Sequence, residues 1–235
     1  MGFLYTTIAV SGLRFHLDDC IKLFISKTNE IIGIKASAPV DLAAWLHYYA
    51  FDSLGAVNFS QMLGFMESGT DVDGIYHLEH DQMMYFAVRG QITAIERLWA
   101  KVKALATGAS KENPLFIFAL EQVQKREVNP TESADMLNLF LDLHKSVPEK
   151  FTIRDVIAAD YINVLTPHDV VAITLRAVVY YFAKNPVMQE KLQQEIDDVE
   201  IAGKLSSPAK LTGNTPLSYV YASTSSIPLL SPLLP

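Results

Sequence analysis

Residues 152–184 read TIRDVIAADYINVLTPHDVVAITLRAVVYYFAK, and their apolar side chains recur at the spacing of one helix face. The pattern predicts a helix of roughly 30 residues, or about 45 Å at 1.5 Å per residue. Thr152 and Asp155 are placed to form a capping box at its start, with Asp in place of the usual Glu or Gln. Asn185-Pro186 predicts the end of this helix and the start of the next, which runs to about Ile201.

Pro167 lies well inside this helical pattern. A proline there removes one backbone hydrogen bond, frees the carbonyl of Asn163 and costs about 3 kcal/mol or more. Proline is also one of the few recognised causes of a sharp kink, so the sequence predicts a kink with two titratable groups, His168 and Asp169, beside it. The alternative is a merely tolerated proline, whose polar neighbours bond to the loosened backbone.

The rest of the chain has the same helical character, and the predicted fold class is mainly α. No stretch alternates like a strand, and no internal repeat is visible. Helical spacing predicts a first helix whose buried face carries Leu17, Ile21, Phe24 and Ile25. The other predicted elements are helices from 39–41 to about 54, at 72–86 with Asp71 as cap, at 92–105, from 113–114, and from 129–130 to about 144, with a loop at 64–71.

The composition excludes several classes of protein. Half of the 235 residues are hydrophobic and 19% are charged, which excludes a disordered chain, and 11 Gly with 11 Pro exclude a collagen-like one. The net charge of −7 argues against nucleic-acid binding. Cys20 is the only cysteine, which excludes an internal disulfide and a cysteine-rich zinc site and favours a reducing compartment.

No transmembrane anchor is predicted in this chain. The apolar stretch from Gly2 to Leu13 is shorter than the ~20 residues that span a bilayer, and it lacks the positive flank of a signal peptide. Polar and charged residues interrupt the apolar run from Val156 to Ala183, which favours a buried helix of a soluble protein. The expected localisation is cytoplasmic, or else is left open by the sequence.

One pair of residues outside the central stretch has the spacing of metal ligands. His77 and His80 stand at i, i+3 with acidic neighbours, which fits a two-ligand metal clip. No third or fourth ligand is evident, so a polar helix face is the preferred interpretation and no metal site is predicted. The sequence has no phosphate loop, dinucleotide fingerprint, nucleophile elbow or zinc-protease motif.

Several segments together resemble the cytochrome P-450 family, the haem-thiolate monooxygenases. The amino-acid sequence is most similar to that of the fungal group related to pisatin demethylase, and the resemblance extends from about Asp18 to Pro208. It implies a longer helical domain, of which this chain matches the middle. The segments that carry the resemblance are residues 150–152 (KFT), Ile157, residues 163–176 (NVLTPHDVVAITLR), 180–181 (YY), 184–186 (KNP) and 191–196 (KLQQEI). Upstream of these, residues 50–55 (AFDSLG), Phe59 and residues 64–66 (GFM) resemble the same group.

The resemblance implies roles for the residues at the kink. The family's central helix carries Ala/Gly-Gly-x-Asp/Glu-Thr-Thr/Ser, whose small residues admit dioxygen above the haem while the acid and the hydroxyl relay protons. This chain has TPHDVV at 166–171. Asp169 is the remnant of the acid and the predicted catalytic residue, whereas Pro167 replaces the glycine and Val170 replaces the hydroxyl residue, so hydroxyl-assisted proton delivery is lost there. Thr166, Pro167 and Val170 would face haem only if the missing half of the domain were supplied.

Two motifs that the family needs are not found in this chain. Cys20 does not stand in the haem-loop motif, and without that thiolate the iron has no axial ligand. Residues 209–235, rich in Ser, Pro and Leu, contain neither Glu nor Arg and hence no Glu-x-x-Arg. We expect a partial cytochrome P-450-like helical domain at 1–208 and a divergent, irregular tail at 209–235. A reading-frame change or a retained intron near codon 208 would produce this pattern.

Three functions follow as expectations. The first is a truncated cytochrome P-450-like protein of fungal secondary metabolism that is not an autonomous monooxygenase. The second is a fragment or mis-predicted form of a haem-dependent monooxygenase that oxidises a small hydrophobic metabolite. The third is a helical binding or interaction module. The resemblance implies haem, a hydrophobic metabolite and a redox partner, but this chain alone is not expected to bind haem. The membrane anchor that usually holds the family at the endoplasmic reticulum is not expected here either.

Overall fold

A computed structural model describes residues 13–34, 39–78, 81, 83–84 and 114–203. Within these ranges the chain is helical and has no β-strand, which confirms the mainly α fold class. His80, the predicted helix at 92–105 and the tail at 209–235 lie outside the described residues. The helices are α1 (Phe15–Ile34), α2 (Leu42–Phe59), α3 (Phe65–Ser68), α4 (Pro114–Val128), α5 (Met136–Ser146), α6 (Ile153–Leu165), α7 (Pro167–Lys184) and α8 (Pro186–Ile201), with a 3₁₀ turn at Val72–Gly74.

Helix α2 lies at the centre of the described structure. It contacts α1, α3, α5, α6 and α7, and α6 packs in turn against α4 and α5. A helix that is apolar around most of its circumference is typical of a protein interior. The main core draws on several of these helices and includes Phe51, Phe65, Leu115, Val123, Phe140 and Val156.

The segment 50–55 (AFDSLG) has a structural role through Asp52. Its side chain is fully buried. Its carboxylate accepts hydrogen bonds from the backbone N–H groups of Gly64, Phe65 and Met66, at 2.6, 3.2 and 2.8 Å. These groups lie at the start of α3, where a helix leaves its first N–H groups unpaired. The predicted loop at 64–71 therefore contains a one-turn helix, capped by a side chain from α2.

The chain turns sharply after α2. Ser60 follows the helix in the left-handed conformation, with φ 58° and ψ 23°. The turn passes so close to Gly55 that a Cβ atom there would lie 2.6 Å from both the carbonyl oxygen of Gln61 and Cγ of Leu63. Glycine at this position is therefore a requirement of packing.

The long helix predicted from the central stretch is present as α6 and α7, from Ile153 to Lys184. The capping box at its start is confirmed, because Asp155 Oδ2 accepts a hydrogen bond from the Thr152 N–H at 2.8 Å. The hydrogen bonds from Thr152 lower the pKa of the Asp155 carboxyl. The predicted boundary at Asn185-Pro186 is confirmed as well, since α8 begins at Pro186.

The helix is interrupted at Thr166. Its φ of −116° and ψ of −42° depart from helical values, and its N–H and hydroxyl both donate to the Ile162 carbonyl, at 3.2 and 2.8 Å. Pro167 then begins α7, where its missing N–H and fixed φ suit a first helical residue. The helix is therefore interrupted at the position where Pro167 predicts a kink.

Ile153–Lys184 is the one stretch of the described residues that is long and apolar enough to cross a membrane, judged by length and composition alone. In this structure 29% of its most apolar window is buried within the protein. A single such helix is weak evidence for a membrane span, because the core helix of a soluble protein meets the same criteria. It packs against α2 and α4 on one side.

Helix α5 begins later than Asn129-Pro130 predicts. Asp135 is its N-cap, and its carboxylate accepts a hydrogen bond from the Asn138 N–H at 2.8 Å. The same carboxylate is fully buried and pairs with Arg126 of α4 at 2.9 Å. An ion pair to α4, nine residues earlier in the chain, therefore fixes the start of α5, and the local proline signal does not.

Two predictions near the start of the chain differ from the structure. The buried face of α1 centres on Cys20, which packs with Ala56 and Met66, whereas Ile25 is exposed. The helix expected from Val72 is preceded by the 3₁₀ turn, in which Asp73 has a φ of 52°. Asp71 caps the helical turn that follows, because its carboxylate accepts hydrogen bonds from the backbone N–H groups of residues 76 and 77.

Candidate functional site

The residues predicted at the kink point in different directions from the α6–α7 junction. His168 is buried, and its ring stacks on Phe51 of α2 with 4.1 Å between ring centroids. Thr166 and Val170 are on the outside of the helix, and Val170 is 61% exposed. Asp169 lies between these two sides. The junction therefore combines one face that packs on α2 with one open face.

The open face continues along both helices as an apolar stripe. Ile162, Thr166, Val170, Ile173 and Tyr180 recur at helical spacing, and the four large side chains are between 43% and 61% exposed. The Thr166 hydroxyl is bonded to the helix backbone. This stripe, which carries the predicted haem-facing positions Thr166 and Val170, is named the open face below.

Asp169 is turned toward α2. Its Oδ1 lies 3.4 Å from Nε2 of His47, whose ring is buried and lies 4.9 Å from the Tyr76 ring, centroid to centroid. The predicted acid thus contacts an imidazole on one side of α7, while Val170, which stands at the hydroxyl position, is on the open face. His47 was not among the sequence-predicted residues. It lies within a buried stretch of α2, but no local spacing links it to a residue 122 positions away.

Asp160 of α6 is a buried acid that the sequence did not single out. It is 0% exposed, and neither carboxyl oxygen has a hydrogen-bond partner among the residues described. Burial raises its pKa to about 8; the nearby charge of Asp135 raises it further, and Arg126 opposes the shift. Asp135 itself is satisfied by Arg126 and by the Ser60 hydroxyl at 2.7 Å. Asp160 is therefore held as the neutral acid near pH 7.

We expect Asp160→Asn to flatten the dependence of stability on pH. With the folded pKa above the unfolded value of 3.8, the native state keeps a proton that the unfolded chain has lost. The stability of the wild type therefore falls as pH rises from about 4 to about 8, by roughly 1.4 kcal/mol per pH unit at most. The amide does not titrate, so urea unfolding at pH 5 and pH 8 should show the folding equilibrium of the variant rising relative to that of the wild type by on the order of 100-fold at the higher pH.

Asp155→Asn is the matched control. That carboxyl has a lowered pKa, so it is already ionised throughout this pH range and its contribution does not change between pH 5 and pH 8. The control should lose a constant amount of stability and keep the wild-type slope. Equal slopes for both variants would show that Asp160 is not held protonated.

The one cysteine of the chain is placed for packing. Cys20 is 0% exposed in α1, and its thiol lies 3.4 Å from the His16 carbonyl oxygen. Desolvation by burial, with smaller contributions from Asp52 and Asp19, raises the pKa of the thiol to about 11. A thiol in this state is a poor metal ligand, because the thiolate is the binding form.

The predicted metal clip has no second member in the described structure, since His80 lies outside it. His77 is exposed, and its Nδ1 lies 2.5 Å from Oδ2 of Asp71, the carboxylate that also accepts the backbone N–H groups of residues 76 and 77. Within the described ranges no group of three or more His, Cys, Asp or Glu side chains is arranged to hold a metal ion.

Comparison with known proteins decides the family. The family model "Cytochrome P450" matches residues 13–212, most of the chain. The chain belongs to the cytochrome P450 family. The arrangement of a long central helix against α2 is therefore the cytochrome P450 framework, and the open face is the side on which the resemblance places haem.

Similar proteins are fungal cytochrome P450 monooxygenases. The chain is 29% identical to the monooxygenase mpaDE of Penicillium brevicompactum over 86% of this chain and 24% of that protein. It is 29% identical to pkfB of Emericella nidulans, over 87% of this chain and 41% of that protein, and 25% identical to a monooxygenase of Aspergillus terreus, over 93% and 46%. The chain thus spans less than half the length of the curated relatives it matches.

Membership of the cytochrome P450 family implies haem, and the described residues fit it only in part. The open face offers an apolar surface at Thr166 and Val170. An axial thiolate is not available from these residues, because Cys20 is buried between α1, α2 and α3 with its thiol held protonated. These residues therefore do not form a haem-thiolate site.

Proposed function

We propose that this chain forms part of the helical framework of a cytochrome P450 of fungal secondary metabolism. We also propose that these 235 residues do not catalyse monooxygenation by themselves. The observation that carries the proposal is the environment of Cys20, a buried thiol whose pKa is raised to about 11. The family's oxygen chemistry depends on a cysteine thiolate bound to the haem iron. The fungal monooxygenases among the relatives support the metabolic assignment.

The geometry at the kink supports the same proposal. The family's proton relay needs an acid and a hydroxyl acting together, and here the acid, Asp169, contacts His47 while the hydroxyl position is occupied by Val170 on the open face. Valine has no exchangeable proton. Even with haem supplied, this pair would deliver protons less effectively than the family's usual pair.

The test is a spectrum of the purified chain after reconstitution with haem. We expect the reduced, carbon monoxide-treated protein to lack the red-shifted Soret band of a thiolate-ligated haem, and Cys20→Ser to give the same spectrum as the wild type. A full-length fungal cytochrome P450 treated identically is the positive control. A red-shifted band that disappears in Cys20→Ser would overturn the proposal, and one that persists would show a ligand other than Cys20.

A second candidate function is that of a helical interaction module, and the open face is the observation that favours it. Ile162, Val170 and Ile173 are more than half exposed on one side of the central helix. Exposed apolar patches of this kind mark association surfaces or aggregation-prone surfaces. In a purified sample the available partner is a second copy of the chain, so the oligomeric state tests this function.

We expect Ile173→Asp to weaken self-association of the chain by roughly tenfold, because a carboxylate on the open face would be desolvated in the contact. Size-exclusion chromatography with light scattering, over a range of protein concentrations, measures this. Gln194→Asp is the control, since it places the same charge at an exposed position on a different helix, α8. A wild type that stays monomeric at all concentrations would rule out this function.

A further inference from the structure

The end of α2 and the start of α5 are joined by one largely buried guanidinium. Arg126 of α4 has a side chain that is 10% exposed. Its Nη1 donates to Oδ1 of the fully buried Asp135 at 3.0 Å, and its Nη2 donates to the carbonyl oxygen of Phe59 at 3.1 Å. The same carboxylate accepts hydrogen bonds from the Ser60 hydroxyl and from the Asn138 N–H. These residues are named the Arg126 joint below.

A second buried acid lies beside this joint. Asp160 is 0% exposed on α6, which packs against both α4 and α5. Neither of its carboxyl oxygens has a hydrogen-bond partner among the described residues, whereas both oxygens of Asp135 accept hydrogen bonds. A buried polar group without a partner costs free energy, so a carboxyl at this position calls for an explanation.

The charges of this cluster balance only while Asp160 is protonated. Among the described residues, the charged groups that act on its carboxyl are Arg126 from α4 and Asp135 at the start of α5. The other helices packed against α6, which are α2 and α7, bring none. One guanidinium neutralises one carboxylate. With a second carboxylate ionised, the interior would hold an uncompensated negative charge, which is strongly unfavourable.

Ionisation of Asp160 would also act on the bonds of the joint. Both Nη atoms of Arg126 are engaged there, and the guanidinium is a rigid plane whose donors move together. The two carboxylates would attract the same guanidinium and repel each other. Opening the joint to water relieves both effects, because water solvates the charge that the interior cannot neutralise.

We propose that the Arg126 joint is a proton-operated latch. With a proton on Asp160 the latch is closed, and loss of that proton releases the start of α5 from the end of α2 while the rest of the described core stays folded. The latch needs no haem, so the outcome of the haem spectrum does not bear on it.

The latch opens as pH rises. Opening exposes Asp160 to water, where its pKa returns toward the ordinary value of 3.8, whereas burial in the closed joint raises the pKa to about 8. The open form therefore binds fewer protons than the closed form between these two values. In that range the opening equilibrium rises with pH, by about tenfold per pH unit at most, and outside it the equilibrium is independent of pH.

Amide hydrogen exchange of the full 235-residue chain, measured by nuclear magnetic resonance at pH 5 and pH 8, tests the latch. Dividing each rate by that of an unstructured peptide at the same pH removes the intrinsic pH dependence and gives the opening equilibrium. The reporters are the N–H groups of Asn138 and Leu139, which donate to the Asp135 carboxylate and carbonyl, and the N–H of the buried Phe51 in α2 reports on the core. We expect the opening equilibrium of both reporters to rise by on the order of 100-fold from pH 5 to pH 8, and to exceed that of Phe51 at pH 8. Equal opening of all three groups would show global unfolding alone and would overturn the proposal.

Three variants separate the latch from ordinary burial of an acid. Asp160→Asn keeps the size of the side chain and cannot ionise, so both reporters should lose their pH dependence and stay protected at pH 8. Asp135→Asn keeps a good N-cap residue but frees Arg126 to pair with Asp160, so the response should shrink to less than about tenfold although the buried acid is still present. Asp155→Asn, on the same helix but away from the joint, should keep the wild-type response. A full response in Asp135→Asn, or a pH dependence that survives Asp160→Asn, would contradict the latch.

Discussion

Asp52→Ala is expected to destabilise the chain by about 3–5 kcal/mol, because it removes the acceptor for three backbone N–H groups in the interior. The carboxylate is fully buried in α2, and the hydrogen bonds that it accepts from the N–H groups of Phe65 and Met66 are buried as well, so those two donors are left unpaired in the interior once it is gone. Equilibrium unfolding in urea, followed by far-UV circular dichroism, measures the loss. Amide hydrogen exchange at Phe65 and Met66 should accelerate by at least the same factor.

Asp41→Ala is the matched control for this change. Asp41 also caps a helix, accepting a hydrogen bond from the Ala44 N–H at 3.1 Å, but it is exposed and water can replace it. Its loss should cost about 1 kcal/mol, the usual effect of removing an N-cap. If the two variants lose the same stability, the buried carboxylate does not hold α3 in place.

Gly55→Ala is expected to destabilise the chain by about 2–3 kcal/mol, although alanine is the better helix former. The added methyl group would lie 2.6 Å from the Gln61 carbonyl oxygen and from Leu63 Cγ, and the first of these is backbone that cannot move without opening the turn after α2. The urea midpoint should fall, and a smaller side chain at Leu63 should recover only part of the loss.

Gly33→Ala is expected to change the free energy of unfolding in the opposite direction, measured in the same urea experiment. Gly33 lies in α1, and a Cβ atom there meets nothing within 4 Å. The substitution should therefore stabilise the helix by about 0.5–1 kcal/mol, the usual gain of alanine over glycine. A stabilising Gly55→Ala would mean that the turn does not approach α2 as closely as described.

The features of the central helix that sequence could predict are those whose signals are local. Thr152 and Asp155 stand three residues apart and cap the start of the helix, and Pro167 has no backbone N–H. Asn185-Pro186 ends one helix and begins the next. Each acts within one turn of helix, so its effect does not depend on the rest of the chain. The family resemblance likewise depends on short continuous stretches of sequence.

The contacts of the candidate site depend on distant parts of the chain and could not be predicted in this way. Asp169 meets His47, which is 122 positions away, and His168 stacks on Phe51. The apolar spacing of α6 is regular and gives no sign that Asp160 is buried. Only the packing of α4 and α5 against α6 shows that Asp160 is buried near Asp135. Ile25 is exposed although its spacing predicts a buried position, because an apolar period does not show which of its residues reaches the neighbouring helix.

The ion pair of Arg126 with Asp135 has a consequence for the order of folding. Besides Asp135, Arg126 Nη2 donates to the carbonyl of Phe59 at 3.1 Å, 67 positions earlier in the chain, and Ser60 bonds to the same carboxylate. A contact of that separation closes a large loop, and loop closure must precede the gain from the contact, which slows its formation. The end of α2 and the start of α5 should therefore become protected late and together during refolding, as one kinetic step.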